Sequence, residues 1–131
     1  MTERNFDSTC SKGHWYEDLA EKYLQNLGYS TVDKNYRSGR YEIDLIMRKD
    51  KTLIFVEVKF RRSNAYGRPY EFLSKKQKLN IIKASVTFIR TRSDLRDYVY
   101  RFDVVSILEE GEIHHYPNAF SIDEFRFIKA L

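Results

Sequence analysis

The chain has 131 residues, 42% of them hydrophobic, which is enough for one domain to bury a core without disulfides. Cys10 is the only cysteine, so an intramolecular disulfide and a cysteine-based zinc cage are excluded. The net charge of +4 is compatible with a polyanionic partner but does not establish one. Since no apolar run approaches the roughly 18 residues of a membrane span, and residues 1–12 lack a signal-peptide pattern, we expect a cytoplasmic protein.

The first predicted element is a helix from Trp15 to Leu27, which Gly28 is placed to end. Its apolar residues share one half of a helical wheel: Trp15, Tyr16, Leu19, Ala20, Tyr23, Leu24 and Leu27. Residues 1–12 show no such pattern. We therefore expect them to form a flexible N-terminal arm ahead of a single domain that spans residues 13–131.

Three strand-like runs follow the helix, from Ser30 to Arg37, from Tyr41 to Lys49 and from Thr52 to Phe60. The connections between them are short, as in an antiparallel meander. The third run is apolar on both faces, which is typical of a central strand. A turn-rich loop with Gly67 and Pro69 comes next.

A basic amphipathic helix is predicted from Lys75 to Arg92, with Ser74 as its N-cap. Its apolar positions recur at helical spacing, at Leu79, Ile82, Val86 and Ile89. Basic residues occupy most of the remaining surface: Lys75, Lys76, Lys78, Lys83, Arg90 and Arg92.

Two more strands are predicted, from Tyr98 to Leu108 and, more weakly, from Glu112 to Tyr116. A final helix is expected to open with Ser121 and Glu124, which match a capping box. The order α-β-β-β-α-β, with a C-terminal strand and helix, indicates a mixed α/β fold in which helices flank one central sheet.

The second and third strands bring several charged residues together. If Asp50 and Lys51 form a two-residue hairpin loop, Asp44 lies opposite Glu57. The same register places Glu42 opposite Lys59, and the period of two puts all four side chains on one face.

Two carboxylates opposed within an apolar stretch destabilise a sheet unless something offsets their repulsion. A divalent cation such as Mg²⁺ or Mn²⁺ would do so and could bind phosphate oxygens. Lys59 projects toward the same place and could orient a water or steady a phosphate, which suits phosphodiester hydrolysis. An exposed hairpin face with ordinary Glu and Lys pairs explains the same pattern without any site.

Read together, Asp44, the Glu57-Val58-Lys59 run and the element order resemble the PD-(D/E)xK nuclease superfamily. A closer resemblance is to a widespread bacterial family of uncharacterised YraN-like proteins, regarded as relatives of archaeal Holliday junction resolvases. It covers roughly residues 13–108 and is carried by these motifs: GHWYEDLAEKYLQNLGY, NYRSGRYEIDLI, FVEVKFRR, AYGRP, KKQKL and RFDVV.

The resemblance implies a restriction-endonuclease-like αβββαβ core and a Mg²⁺- or Mn²⁺-dependent endonuclease acting on structured or branched DNA, and it allows a homodimer. It implies that Asp44 and Glu57 ligate the metal and that Lys59 is the catalytic lysine. Glu17 matches the acid that completes the site as a further catalytic and metal-binding residue, although a solvated surface position explains it as well. Gln77 matches a polar residue that helps to organise the site, or it is an ordinary exposed helical Gln.

The chain departs from the family pattern at Tyr41, where a Gly usually precedes the Glu-Ile-Asp run. The bulk of Tyr41 either narrows access to the site or offers a ring on which a base could stack. Asp103 could join the site, but an ion pair with Arg101 or with a lysine is equally consistent. His114 and His115 are adjacent, so in a strand they point to opposite faces and cannot chelate one ion.

Basic and aromatic residues around the proposed site indicate a nucleic-acid-binding surface. Its predicted members are Arg61, Arg62, Tyr66, Arg68, Lys75, Lys76 and Lys78. Three functions remain open: an endonuclease, a catalytically silent nucleic-acid-binding module, and a protein-interaction scaffold with the same fold.

Overall fold

A computed structural model describes residues 9–62 and 73–125, with side chains described for 14–62 and 73–123. The helices are α1 (Thr9–Asn26) and α2 (Lys75–Arg90), and the strands are β1 (Ser30–Ser38), β2 (Tyr41–Lys49), β3 (Thr52–Arg61), β4 (Val99–Leu108) and β5 (Ile113–Phe120). Short 3₁₀ turns span Ser93–Leu95 and Ile122–Phe125. No helix in the described ranges is both long and apolar enough to cross a membrane.

Helix α1 ends at Asn26, one residue before the predicted last residue Leu27. Gly28 has a φ of 100°, its N–H donates to Gln25 O, and the N–H of Tyr29 donates to Leu24 O. These two bonds satisfy carbonyls at the end of the helix, and the positive φ favours glycine. The helix starts at Thr9, six residues before Trp15, so it includes residues 9–12 of the expected N-terminal arm. Once a first turn has formed, a helix can extend through residues that show no apolar pattern. The periodicity of apolar residues therefore predicted a helix start that is too late in the chain.

The five strands form one sheet in the order β1-β2-β3-β4-β5. Strands β1, β2 and β3 pair as the predicted antiparallel meander, β3 and β4 are parallel, and β4 and β5 are antiparallel. Helix α2 makes the crossover that a parallel pair requires. Strand β3 is therefore central, which confirms the interpretation of its apolar faces.

The two helices cover opposite faces of the sheet. Helix α1 packs Ala20 and Leu24 on one buried layer: Leu45, Met47, Ile54, Val56, Val105 and Ile107. Helix α2 packs Ile81, Ile82, Ala84 and Phe88 on the other: Ile43, Ile46, Leu53, Phe55, Phe102 and Val104. Because side chains alternate along a strand, Glu57 and Lys59 lie on the α2 face together with Phe55.

Strand β5 runs past its predicted end at Tyr116 to Phe120. Pro117 interrupts the apolar pattern, but it is exposed and β5 is an edge strand, where a residue without an N–H is tolerated. Beyond β5, Ser121 Oγ accepts a hydrogen bond from the N–H of Asp123 at 3.1 Å and a 3₁₀ turn follows. The expected final helix is described only as this turn, and the side chain of Glu124 lies outside the described residues.

Candidate active site

The candidate site lies where β2 and β3 part. The two strands are paired from Lys49–Thr52 to Leu45–Val56, which confirms the predicted hairpin register. The pairing ends one step before Asp44 and Glu57. There the N–H of Val58 donates a hydrogen bond to Oδ2 of Asp44 at 2.8 Å. The Asp44 carboxylate thus takes the place of a backbone acceptor.

Asp44 and Glu57 form an acidic pair. Burial, followed by the negative charge of Glu57, raises the pKa of Asp44 well above its ordinary value, against the opposing hydrogen bond from Val58. Burial also raises the pKa of Glu57, although Lys59 and a hydrogen bond from Asp44 oppose that rise. Two desolvated carboxylates in contact favour a shared proton or a cation over two negative charges.

Lys59 is the cation closest to this pair along β3. Its Nζ lies 3.4 Å from Oε2 of Glu57, and both side chains are only 19% exposed. The ammonium group is therefore partly withdrawn from water, where its charge acts more strongly on its neighbours than at an open surface.

Glu17 approaches the pair from α1. Its negative charge contributes to the raised pKa of Asp44, so the two carboxylates are near each other. Its Oε1, however, accepts a 2.6 Å hydrogen bond from Nδ2 of Asn35, which adopts a φ of 51° in β1. Within residues 9–62 and 73–125, no three His, Cys, Asp or Glu residues are grouped closely enough to hold a metal ion. Glu17 as a third ligand stays a prediction.

Gln77 helps to fix the start of α2. Its backbone N–H donates to Ser74 Oγ at 3.1 Å, and its side-chain Oε1 accepts from the N–H of Ser74 at 2.8 Å. This capping box confirms Ser74 as the N-cap. Gln77 also lines a cavity of about 140 Å³ that reaches Glu57.

The same cavity is lined by Tyr41 on β2 and by Asn80 on α2. Sequence reasoning missed Asn80. A signal was present, because Asn is unfavourable inside a helix and is seldom placed there without a polar contact to make. Tyr41 sits beside α2, with Nζ of Lys83 5.7 Å from the centre of its ring.

Asp103 lies outside the site. It is fully buried on the opposite face of the sheet, where Arg101 donates to both of its oxygens at 2.9 and 2.8 Å. The predicted alternative, an ion pair with Arg101, is confirmed. His115 and the N–H of Asn118 complete the contacts of this carboxylate at 2.8 and 3.0 Å. His114 instead contacts Glu112, so the two histidines do point to different faces.

The predicted nucleic-acid-binding residues are only partly described. Arg62, Lys75 and Lys76 are exposed, and Arg61 and Lys78 are partly buried. Nζ of Lys78 lies 5.9 Å from the centre of the Phe120 ring. Tyr66 and Arg68 lie outside the described residues.

The αβββαβ order and the mixed sheet between two helices define a restriction-endonuclease-like fold, which is a nuclease-like fold. The chain belongs to the uncharacterised protein family UPF0102, whose family model matches residues 16–107. This confirms the resemblance to YraN-like proteins.

Two relatives match over most of their length. The chain is 41% identical to a UPF0102 protein of Sulfurihydrogenibium sp. (strain YO3AOP1) over 112 residues, which is 86% of this chain and 96% of that one. It is 36% identical to one from Vibrio parahaemolyticus over 110 residues, or 83% and 91% of the two chains. Among solved structures, Hjc of Archaeoglobus fulgidus, a Holliday junction resolvase, matches with a TM-score of 0.51 and 19% identity over 79% of this chain and 73% of Hjc. This match confirms the fold class.

Proposed function

We propose that this protein is a Mg²⁺- or Mn²⁺-dependent endonuclease that hydrolyses phosphodiester bonds in structured or branched DNA. The observation that carries the proposal is the placement of two carboxyl groups at the end of the β2–β3 pairing: Asp44 accepts from the N–H of Val58 at 2.8 Å, and Oε2 of Glu57 lies 3.4 Å from Nζ of Lys59. A pair of this kind is unfavourable when fully ionised, so its presence calls for a compensating positive charge.

The residues fit a magnesium-type cation. Asp44 and Glu57 would hold it through hard carboxylate oxygens, and Mg²⁺ usually takes only one or two carboxylates and completes its shell with water and phosphate oxygens. Two neighbouring carboxylates are thus sufficient, and Glu17 is proposed as a further ligand. A bound divalent cation supplies charge stabilisation at the phosphoryl oxygens and makes a bound water more acidic.

Residues of the chain then position the ligands, orient the water and bind the DNA. Val58 holds the Asp44 carboxylate in place through its N–H. Lys59 orients the attacking water and balances the charge that develops on the phosphate. Gln77 positions the first turn of α2 against Glu57 through its capping box. The basic residues near that turn hold the DNA backbone by charge attraction.

Branched DNA is proposed as the substrate because the fold is similar to that of a protein described as a Holliday junction resolvase. A catalytically silent nucleic-acid-binding module is the second candidate. It is favoured by the hydrogen bond that Asn35 donates to Glu17, since this bond occupies an oxygen that a complete acidic site would use.

The deciding experiment is incubation of the pure protein with duplex, flap and four-way-junction DNA in Mg²⁺, Mn²⁺ or EDTA. The nuclease predicts metal-dependent cleavage that is lost in Asp44→Asn and kept in the surface variant Asp97→Asn. Binding of DNA without cleavage under every metal condition would establish the silent module instead. Cleavage that persists in Asp44→Asn would assign the activity to another site or to a contaminant.

A further inference from the structure

The cavity beside Glu57 has walls of mixed chemistry. Strand β2 contributes the Tyr41 ring, and α2 contributes the amide side chains of Gln77 and Asn80 and the apolar side chain of Ile81. Glu57 forms part of the same wall, so whatever occupies the cavity lies next to the proposed metal ligands.

We propose that this cavity receives a nucleobase that has left the stack of its strand, next to the phosphodiester bond to be cut. The inference rests on the proposed function and specifies its substrate: nucleic acid with an unpaired or extrudable nucleotide at the cleavage position.

Tyr41 supplies the stacking surface. Its ring is partly buried against the core on the α2 face, and the Lys83 ammonium lies 5.7 Å from the ring centre. Both contacts restrict the ring before any ligand arrives. A restricted aromatic ring loses little conformational freedom on binding, and every base has a face that can stack on it.

Asn80 and Gln77 supply the polar edge. They lie three positions apart, which is one helical turn, and both line the cavity. The Asn80 side chain makes no hydrogen bond to the described part of the chain, so its amide has both donors and an acceptor to offer. Gln77 uses its Oε1 to accept from Ser74, which leaves its NH₂ group available as a donor. Side-chain amides of this kind match the donor and acceptor pattern of base edges.

The charges of the walls favour a base over a phosphate. Glu42 and Glu57 both line the cavity, and two carboxylates repel a phosphate group. A neutral base is not repelled, and its N–H groups can donate to a carboxylate. Arg40, which is exposed and also lines the cavity, can meet the phosphate of the same nucleotide from outside.

The test measures binding in EDTA, so it does not depend on cleavage. Wild type is titrated with flap DNA in which each of the first few unpaired nucleotides is replaced in turn by an abasic residue. Removal of the base at one position should weaken binding about fivefold or more, the range expected for loss of one base stacked on an aromatic ring. With 2-aminopurine at that position, binding should change the fluorescence.

Variants test the stacking ring of Tyr41 and the amide side chain of Asn80 separately. For Tyr41→Leu and for Asn80→Leu, the ratio of the affinity for intact DNA to the affinity for abasic DNA should fall to near one. Tyr41→Phe should keep most of the wild-type ratio, because the aromatic ring remains. Thr87→Ala is the matched control, since Thr87 is an exposed residue of α2 away from the cavity. Circular dichroism melts check that each variant is folded.

Equal wild-type affinity for intact and abasic DNA at every position would overturn the inference. Cleavage of the same flap in Mn²⁺ is measured alongside. Cleavage without base dependence rejects the base pocket alone, base dependence without cleavage rejects the nuclease alone, and the absence of both DNA binding and cleavage rejects both.

Discussion

The backbone N–H of Val58 and the carboxylate of Asp44 are joined by a 2.8 Å hydrogen bond that replaces the next rung between β2 and β3. The bond needs only an oxygen acceptor and not a negative charge. An amide in place of the carboxylate can therefore keep the local geometry. Asp44→Asn thus tests the effect of the negative charge of Asp44 without changing the backbone contact.

We expect Asp44→Asn to lose metal affinity and cleavage together. The reduction should exceed about 100-fold, since even the outer partners of a metal ligand contribute about 10- to 100-fold. DNA binding without metal should survive or tighten, because a charge that repels phosphate is removed. Metal titration by calorimetry, cleavage rates and DNA affinity are compared with Asp97→Asn, whose carboxylate is 70% exposed. Full metal affinity in Asp44→Asn would contradict its assigned role.

Lys59→Ala should separate chemistry from metal binding. Because Lys59 is proposed to act on water and on the developing charge, cleavage should slow by about 10²- to 10³-fold, as for loss of a preorganised transition-state contact. Metal affinity should change little. Lys51→Ala is the control, since that side chain is 70% exposed in an ion pair with Asp97. The assigned role is wrong if the Lys59 variant cleaves at the wild-type rate.

Stability without metal should fall as pH rises. The folded pKa values of Asp44 and Glu57 are raised, mainly by burial, so the folded state binds more protons than the unfolded state above the ordinary carboxyl range. Their stabilising contribution is complete below about pH 4 and is lost as pH rises through the folded values. Melting in EDTA across pH should show this loss, and Asp44→Asn should flatten it.

Mn²⁺ should restore the lost stability at neutral pH. A cation that binds only the folded state at about 100 times its Kd stabilises it by about 2.7 kcal/mol. The gain should be small near pH 4, where protons compete for the carboxylates. A melting temperature that is independent of Mn²⁺ at pH 7 would count against a metal site at this pair.

The basic turn at the start of α2 should set part of the salt dependence of DNA binding. Lys76→Glu should weaken binding and lower the slope of log K against log salt by about 0.9 for each phosphate that is no longer neutralised. Arg96→Glu makes the same charge change beyond the C-terminal end of α2, where the exposed Arg96 follows a 3₁₀ turn. Equal effects of the two variants would indicate that only net charge matters.

Asp103→Ala should destabilise the α1 face of the sheet. Burial raises the pKa of this carboxyl, but hydrogen bonds from Arg101, His115 and Asn118 outweigh burial and hold the pKa below its ordinary value. Its removal leaves the partly exposed Arg101 guanidinium with Tyr29 alone and deprives the N–H of Asn118 of its acceptor, at a cost of about 1–3 kcal/mol. Urea unfolding measures this against Asp97→Ala, an exposed pair that contributes less than about 1 kcal/mol. Comparable losses would show that Asp103 is not a stabilising centre.

The sequence predicted those parts of the fold that depend on local periodicity. Alternation defined β2 and β3, the short turn at Asp50 and Lys51 defined their register, and Ser74 and Gly28 marked helix ends. It could therefore place Asp44 beside Glu57. The parting of the strands could not be foreseen, because it depends on a side chain replacing a backbone acceptor.

Residues brought in by tertiary packing were harder to predict. The bond from Asn35 to Glu17 depends on how α1 crosses β1, and a positive φ in a strand gives no reliable sequence signal. Asn80 and Tyr41 line one cavity only because α2 packs against β2. Pattern analysis assigns faces to each element but does not give the distance between two faces.

Both edge strands of the sheet, β1 and β5, are poorly suited to pair with a strand of another molecule. Strand β1 has a register shift between Thr31 and Asp33, and Asn35 turns its backbone to a φ of 51°. Strand β5 carries Pro117, which has no N–H to donate, next to Asn118 with a φ of 54°. Irregular edges of this kind discourage two molecules from joining their sheets and so protect against aggregation. If two copies associate on DNA, we expect them to meet through helices and loops, which would leave each acidic pair within its own unbroken sheet.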